Sequence, residues 1–216
     1  MDDLREHISK LRSEFSKMKL DESMADSDPV NQFAAWLRAA MEARANEPNA
    51  MVVSTVGADN RPSARVMLLR SFDHEGFIFY TNYNSRKGKE IAVNPHCALT
   101  FFWPEVERQV RIEGKLSLLQ PAVSDLYFMS RPAESRLGAW ASPQSEVIGN
   151  RRILDDYFEK VKNNFAGKEI LRPEWWGGYV LNPDRFEFWQ GREKRLHDRL
   201  VYIKHANGWS IQRLAP

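Results

Sequence analysis

The chain has 216 residues, 43% of them hydrophobic and 12% aromatic, enough to bury one sizeable core or two small ones. Its 31 Lys and Arg against 29 Asp and Glu leave a formal charge of +2, too even to imply a polyanionic partner, so nucleic acid is not the expected ligand. No stretch approaches the ~20 apolar residues of a membrane span, and the charged N-terminus has no apolar leader core, so no membrane association and a cytoplasmic location are expected. The single cysteine, Cys97, sits beside the apolar run Ala98-Leu99-Thr100-Phe101-Phe102, can form no internal disulfide and reads as core, which suits a reducing compartment.

In chain order, Leu4, Ile8, Leu11, Phe15 and Met18 recur at helical spacing and predict an amphipathic first helix, followed by a linker from Met24 to Asp28. Residues 1–28 are therefore read as a helix and linker, and residues 29–216 as one domain. Asp28-Pro29 supplies an N-cap and a first-turn proline for a helix bearing Phe33, Trp36, Leu37 and Met41, which Asn46-Glu47-Pro48 should end. The texture then turns to β, with strands over 50–56, 61–70 and 77–83 separated by Gly57-Ala58-Asp59-Asn60 and Asp73-His74-Glu75-Gly76 turns. A short helix over 85–93 precedes two long strands, 96–103 and 108–119. Pro121 opens a helix through Met129, and a longer one spans about residues 150–165. The last portion predicts strands over 178–181, 185–190, 199–204 and 209–214, the final pair closed by Ala206-Asn207-Gly208.

Short antiparallel meanders protect their sheet edges by closing into barrels, so the expected fold class is mainly β with flanking helices (α+β), built on a small barrel. There is no regular βαβ alternation, no G-x-G-x-x-G and no G-x-x-x-x-G-K-[ST], so any phosphate must be held by side chains. Four clusters bear on that. In Arg65-Val66-Met67-Leu68-Leu69-Arg70 charges bracket an apolar strand, and burying guanidinium without an anion is costly. From Tyr80 and Thr81 to Arg86, Lys87 and Lys89, hydroxyls and cations gather where a strand meets a helix start that Ser85 could cap, an arrangement suited to a phosphate monoester or, alternatively, a solvated basic turn. Tyr127, Arg131 and Ser135 follow i+4 spacing, but Pro132 argues for a bend at which phenol, guanidinium and hydroxyl could converge on a second phosphate; a surface helix end is the competing reading. Lastly, Arg195, His197 and Arg199 alternate at period two after Glu187-Phe188-Trp189-Gln190, so in an extended segment all three face one way, against a planar or acidic partner or in ion pairs with Glu193 or Asp198.

Phe-Tyr-Thr-Asn…Ser-Arg-Lys (79–87), Glu-Arg-Gln-Val (107–110), Ser-Arg-Pro (130–132), Trp-Gly-Gly (176–178) and Glu-Phe-Trp-Gln-Gly…Arg-Leu-His-Asp-Arg (187–199) occur in this order. With them the chain resembles the pyridoxine/pyridoxamine 5′-phosphate oxidase family from about Leu11 to Pro216. The resemblance implies an FMN-binding split β-barrel, a homodimer with FMN at the interface, and no metal. It implies oxidation of pyridoxamine 5′-phosphate or pyridoxine 5′-phosphate to pyridoxal 5′-phosphate by O2, giving H2O2 and, from the amine, NH3. Carried over, Arg65, Val66, Met67, Leu68, Leu69, Arg70, Tyr80, Thr81, Arg86 and Lys87 would hold the FMN phosphate and ribityl chain, and Gln109, Gln144, Ser145, Trp189 and Arg199 would meet the flavin or its surroundings. Tyr127, Arg131 and Ser135, with Arg70, would take the substrate phosphate, and Arg195, Leu196 and His197 the pyridine ring, Arg195 and His197 being the catalytic candidates. Three positions depart from the family pattern. Arg70 stands where a lysine is usual, Arg12-Ser13-Glu14-Phe15 replaces Arg-Arg-Glu-Tyr, and Arg136-Leu137-Gly138-Ala139 replaces Gln-Ile-Gly-Ala. A non-catalytic split-barrel binder of FMN or pyridoxal phosphate is the alternative, motivated by Arg70 and Phe15.

Overall fold

The computed structural model describes residues 5–8, 15 and 18–216. Residues 5–8 are helical, while Leu4, Leu11 and Arg12-Ser13-Glu14 of the predicted first helix lie outside the described residues. The fold is mainly antiparallel β with flanking helices, and the chain divides into two compact units.

One unit comprises Asn49–Thr100 and Ile112–Asp184. Its sheet runs in the order β2 (Pro62–Leu68), β1 (Ala50–Val56), β5 (His96–Trp103), β6 (Arg108–Leu118), β7 (Trp176–Gln190), β4 (Gly76–Asn82), β3 (Ser71–Asp73), through those parts of β5, β6 and β7 that it contains. Alternation in β1 sends Met51, Val53 and Thr55 inward, and β1 pairs with β2 from Ala50↔Leu68 to Val56↔Pro62. Strand β4 pairs with β7 from Phe77↔Leu181 to Asn82↔Trp176. The Trp-Gly-Gly motif is explained here: a Cβ on Gly177 would lie 2.1 Å from the Tyr83 hydroxyl, and one on Gly178 2.4 Å from Leu119, so only bare backbone fits. Met51, Val53, Phe77, Phe79, Leu99, Ile112, Phe128 and Leu181 form the buried interior, and Cys97 is buried in β5. Around the sheet lie α2 (Arg86–Val93), α3 (Pro121–Ser130), α4 (Ala133–Ala141) and α5 (Arg151–Asn164). Strand β3 and helix α4 were not in the sequence reading; three residues are too few for a period, and Pro132 obscured a helix that starts immediately after it.

The other unit comprises Met1–Pro48, Phe101–Arg111 and Arg185–Pro216. Its helix α1 (Pro29–Glu42) is capped by Asp28, whose carboxylate accepts from Val30 N at 2.7 Å. The apolar face is fixed by ring edges, Phe33 on Phe101 at 5.0 Å and Trp36 on Phe188 at 5.2 Å. This helix stops at Glu42, four residues before the expected Asn46, because Ala43 already leaves helical geometry. The C-terminal part of β7 pairs with β8 (Asp198–His205), and β8 with β9 (Gly208–Arg213), Gly208 closing the hairpin at φ 127°. Two strands were expected where β7 is continuous. Asn182-Pro183-Asp184, read as a break, is where β7 exchanges β4 for β8 as partner, a place where a proline without an amide hydrogen is tolerated.

Candidate functional site

In the first unit, β2 carries Arg65 beside a buried carboxylate. Arg65 Nη1 donates to Val53 O at 2.9 Å and Thr55 Oγ1 at 2.7 Å, and Nη2 to Ser63 Oγ at 2.5 Å and Glu90 Oε2 at 3.4 Å. Glu90, 8% exposed on α2, also accepts from the Thr55 and Ser63 hydroxyls, each at 2.6 Å, and from Arg86 Nε at 2.8 Å. Burial alone would raise the pKa of Glu90, but the bonds from Ser63, Thr55 and Arg86 outweigh it and hold the carboxyl at about 2. Ser85 caps α2, accepting from Gly88 N at 3.3 Å and donating to Asn82 O at 2.6 Å. One turn in, Lys87 Nζ donates to Gln144 Oε1 at 2.9 Å, Thr81 Oγ1 at 3.0 Å and Ser85 Oγ at 3.3 Å. Burial first, and then the Arg65 charge, lower its pKa to about 8 against the opposing pull of Glu90. An ammonium so placed gains from an anion.

Lys87 and Arg65 line a cavity of about 370 Å³ together with Val66, Met67, Leu68, Arg70, Tyr80, Thr81, Tyr127, Arg131, Gln144 and Trp176. The second cation pair comes from the bend anticipated at Pro132. Helix α3 ends at Ser130, Arg131 is extended at φ −76° and ψ 148°, and Pro132 precedes α4. Tyr127 stacks on Tyr80 at 3.8 Å and lies parallel to Trp176, and the Arg131 guanidinium sits 4.6 Å over the Trp176 ring. Arg131 Nη1 is buried without a hydrogen-bond partner, and burial, then the Arg70 charge opposed by Tyr127, leave the guanidinium's pKa lowered. Four arginine and lysine side chains thus face one cavity. A cavity of about 450 Å³ elsewhere in this unit shares only Gln144 with the expected site and has Lys160 and Glu146 as its charged lining, so it offers far less to a phosphate.

Not every expected residue reaches that lining. Leu69 is buried in the core, Arg86 lies along Glu90, and Ser135 and Ser145 are exposed, Ser145 at φ 74°. The sequence reading named Trp176 only as part of Trp-Gly-Gly. Its aromatic character beside two glycines was the available signal, and only the cross-strand pair Asn82↔Trp176 puts it near Tyr80.

In the second unit, Trp189 lies one residue before the end of β7 with its ring 4.7 Å from that of His197, and Phe15 packs edge-on against both, at 5.6 Å and 5.7 Å. Gly191 seats Phe15, since a Cβ there would lie 2.8 Å from the Phe15 Cβ. Arg199 Nε donates to Glu187 Oε1 at 2.9 Å, and Arg111 reaches the other Glu187 oxygen at 3.1 Å. Gln109 lies on β6, half-buried. The expected single extended face for Arg195, His197 and Arg199 is not formed. Residues Glu193–Arg195 make a 3-10 turn with Lys194 at φ 55° and Arg195 at φ 61°, and β8 starts only at Asp198, so the period-two rule does not reach Arg195. Leu196 is 67% exposed. His197 Nδ1 accepts from the Arg192 backbone amide at 3.1 Å, and burial followed by the Arg195 charge lowers its pKa below the ordinary value.

An antiparallel sheet with flanking helices, one unit of which holds a cavity lined by four cationic side chains, defines a split-barrel protein. The chain belongs to the pyridoxamine 5′-phosphate oxidase family: residues 37–165 match the model described as "Pyridoxamine 5'-phosphate oxidase", and residues 176–216 that of the "Pyridoxine 5'-phosphate oxidase C-terminal dimerisation region". It is 52% identical to a pyridoxine/pyridoxamine 5′-phosphate oxidase of Burkholderia vietnamiensis, covering 97% of this chain and 99% of that one, and 49% identical to one of Rubrobacter xylanophilus, covering 98% of each. Among solved structures it is similar to PhzG from Burkholderia lata in complex with tetrahydrophenazine-1-carboxylic acid, with a TM-score of 0.86 at 31% identity, covering 93% of this chain and 99% of that one. A pyridoxamine 5′-phosphate oxidase-related, FMN-binding protein of Nostoc punctiforme shares the fold, with a TM-score of 0.65 at 18% identity over 87% of this chain and 95% of that one. Among the described residues no helix is long and apolar enough to cross a membrane, and no group of three or more His, Cys, Asp or Glu could hold a metal ion.

Proposed function

We propose that this protein is an FMN-dependent oxidase that converts pyridoxamine 5′-phosphate or pyridoxine 5′-phosphate to pyridoxal 5′-phosphate, with O2 as acceptor, H2O2 as product and NH3 released from the amine. The observation that carries this is one cavity with two cation pairs, Arg65 with Lys87 and Arg70 with Arg131, matched to two phosphates. Both pairs fit anions physically: Lys87 is driven towards neutrality, and Arg131 keeps a buried donor unused. When bound, flavin mononucleotide supplies hydride acceptance and oxygen reactivity. Lys87, Arg65 and the first-turn amides of α2 would hold its phosphate, with Thr81 and Gln144 beside them. Tyr127 and Arg131, helped by Arg70, would bind the substrate phosphate, which fixes the far end of a small planar molecule. Arg195 and His197 would orient its ring, with Trp189, Arg199, Gln109 and Ser145 in the flavin's surroundings. A cytoplasmic homodimer is part of the proposal, supported by the match of residues 176–216 to a dimerisation region.

A second reading rests on Arg70. Two guanidinium forks, Arg70 and Arg131, facing one cavity would also grip a carboxylate bidentately, so an oxidase of a planar aromatic acid is the competitor. The deciding experiment is purification followed by flavin absorbance and oxygen uptake. Uptake with pyridoxamine 5′-phosphate supports the primary reading. A yellow protein inert towards both phosphorylated vitamers would overturn it in favour of the carboxylate substrate or of a non-catalytic binder.

A further inference from the structure

His197 stands on an arrangement that its own neighbours in sequence create. A neutral imidazole has one donor and one acceptor nitrogen, so the Arg192 amide donating to Nδ1 at 3.1 Å places the ring proton on Nε2 and aims a donor away from the turn. Protonating Nδ1 would break that bond, which acts in the same direction as burial and the Arg195 charge in keeping the ring neutral. What holds Arg192 in place is the next residue along. Asp198 Oδ2 accepts from Arg192 Nη1 at 3.0 Å and from the Leu20 amide at 3.1 Å, while Oδ1 accepts from Arg213 Nη1 at 2.9 Å. Arg213 in turn clasps Glu22 through Nε at 2.8 Å and Nη2 at 2.6 Å, and reaches Leu20 O at 3.1 Å. One carboxylate therefore ties together the 192–197 turn, β9 and Leu20, while Phe15 packs on the His197 ring.

We propose that Asp198 is a positioning residue for His197: through Arg192 it fixes the Nε2–H tautomer, and through Leu20 and Arg213 it ties that turn to the body of the unit. The consequence for catalysis rests on the reading that His197 meets the substrate. The geometry of the claim does not. The Asp198 carboxylate is spent on three donors that converge from separate stretches of chain. Such bonds to an ionised acceptor are the strong ones, and they restrain a turn that contains two residues at positive φ, Lys194 and Arg195.

The test uses the intact flavin-loaded protein labelled with nitrogen-15, with the His197 signals identified by their loss in His197→Gln. The wild type is expected to show the Nε2–H pattern. Asp198→Asn is isosteric and removes the charge that orders both arginines, so it should give a mixture of tautomers and a His197 pKa moved up towards the ordinary value. Arg192→Gln should reproduce that change while the Leu20 and Arg213 bonds remain, and Glu22→Gln, which loosens only the clasp, should leave the tautomer as it was. In kinetics, Asp198→Asn should raise KM for the phosphorylated substrate roughly 10-fold with flavin affinity unchanged. Retention of the wild-type tautomer in both Asp198→Asn and Arg192→Gln overturns the inference, even if both variants melt earlier. A changed tautomer with unchanged KM upholds the positioning and instead removes His197 from the substrate.

Discussion

At the residue scale, Lys87 links the cavity's electrostatics to a measurable pH dependence. Its folded pKa of about 8 lies below the ordinary 10.5, so between these values the unfolded chain holds more protons and stability of the flavin-free protein rises with pH. A bound phosphate reverses the burden by favouring the ammonium. Affinity for flavin mononucleotide is therefore expected to fall by up to about tenfold per pH unit above pH 8, while riboflavin, which lacks the phosphate, binds without that slope. Equal slopes in the two titrations would remove Lys87 from the phosphate. Glu90 behaves in the opposite sense. Its carboxyl titrates at about 2 rather than 4.5, so its stabilisation is complete above 4.5 and disappears as pH falls towards 2. Glu90→Gln is expected to cost on the order of 3 kcal/mol in chemical denaturation at pH 7, because two arginines lose a buried counter-charge, and the gap from wild type should close in acid.

At the element scale, helix α2 is short and depends on its start. Ser85 provides the cap and the Asn82 tie, and the same first turn presents Arg86 and Lys87. Ser85→Ala should cost about 1 kcal/mol of stability and weaken flavin mononucleotide binding more than riboflavin binding. Calorimetry with and without each ligand separates the two effects. The α3–α4 break has the same logic: a proline that forbids continuous helix turns Arg131 out of register, where its guanidinium lies over Trp176. Ser135, an i+4 step further in sequence, falls beyond the break, exposed on α4. Helical spacing was legible; which side of the break a residue belongs to was not.

At the scale of the whole molecule, the sheet keeps an apolar cross-strand pair uncovered. Val52 and Val66 face each other in the β1–β2 register and are 36% and 69% exposed. A second copy of the chain is the expected cover of this face, and flavin retention is expected to depend on it. Val52→Glu, which is outside the cavity lining, should sediment near the 25.1 kDa of one chain rather than twice that mass, and should lose flavin on gel filtration. A dimer that persists and stays yellow would exclude this face from the assembly.

The sequence by itself determined the β-rich class, most strand and helix limits, and the cation-bearing clusters whose members come to line one cavity, because these follow from local periodicity, capping and turn chemistry. His96–Trp103 lies where alternation between two turns puts it, and Asp28 and Ser85 cap the helices their positions announce. Only the tertiary structure decided that Glu90 restrains Arg65 from 25 residues away, that Trp176 completes the aromatic wall, and that Asp198 gathers Leu20, Arg192 and Arg213 around one carboxylate. It also decided against the shared face of Arg195, His197 and Arg199, which required an extended segment, since two positive-φ residues place a turn before β8. The physical reason is common to the first three: pairing across the sheet and the burial of charge depend on which distant segments meet, and no local period encodes that meeting.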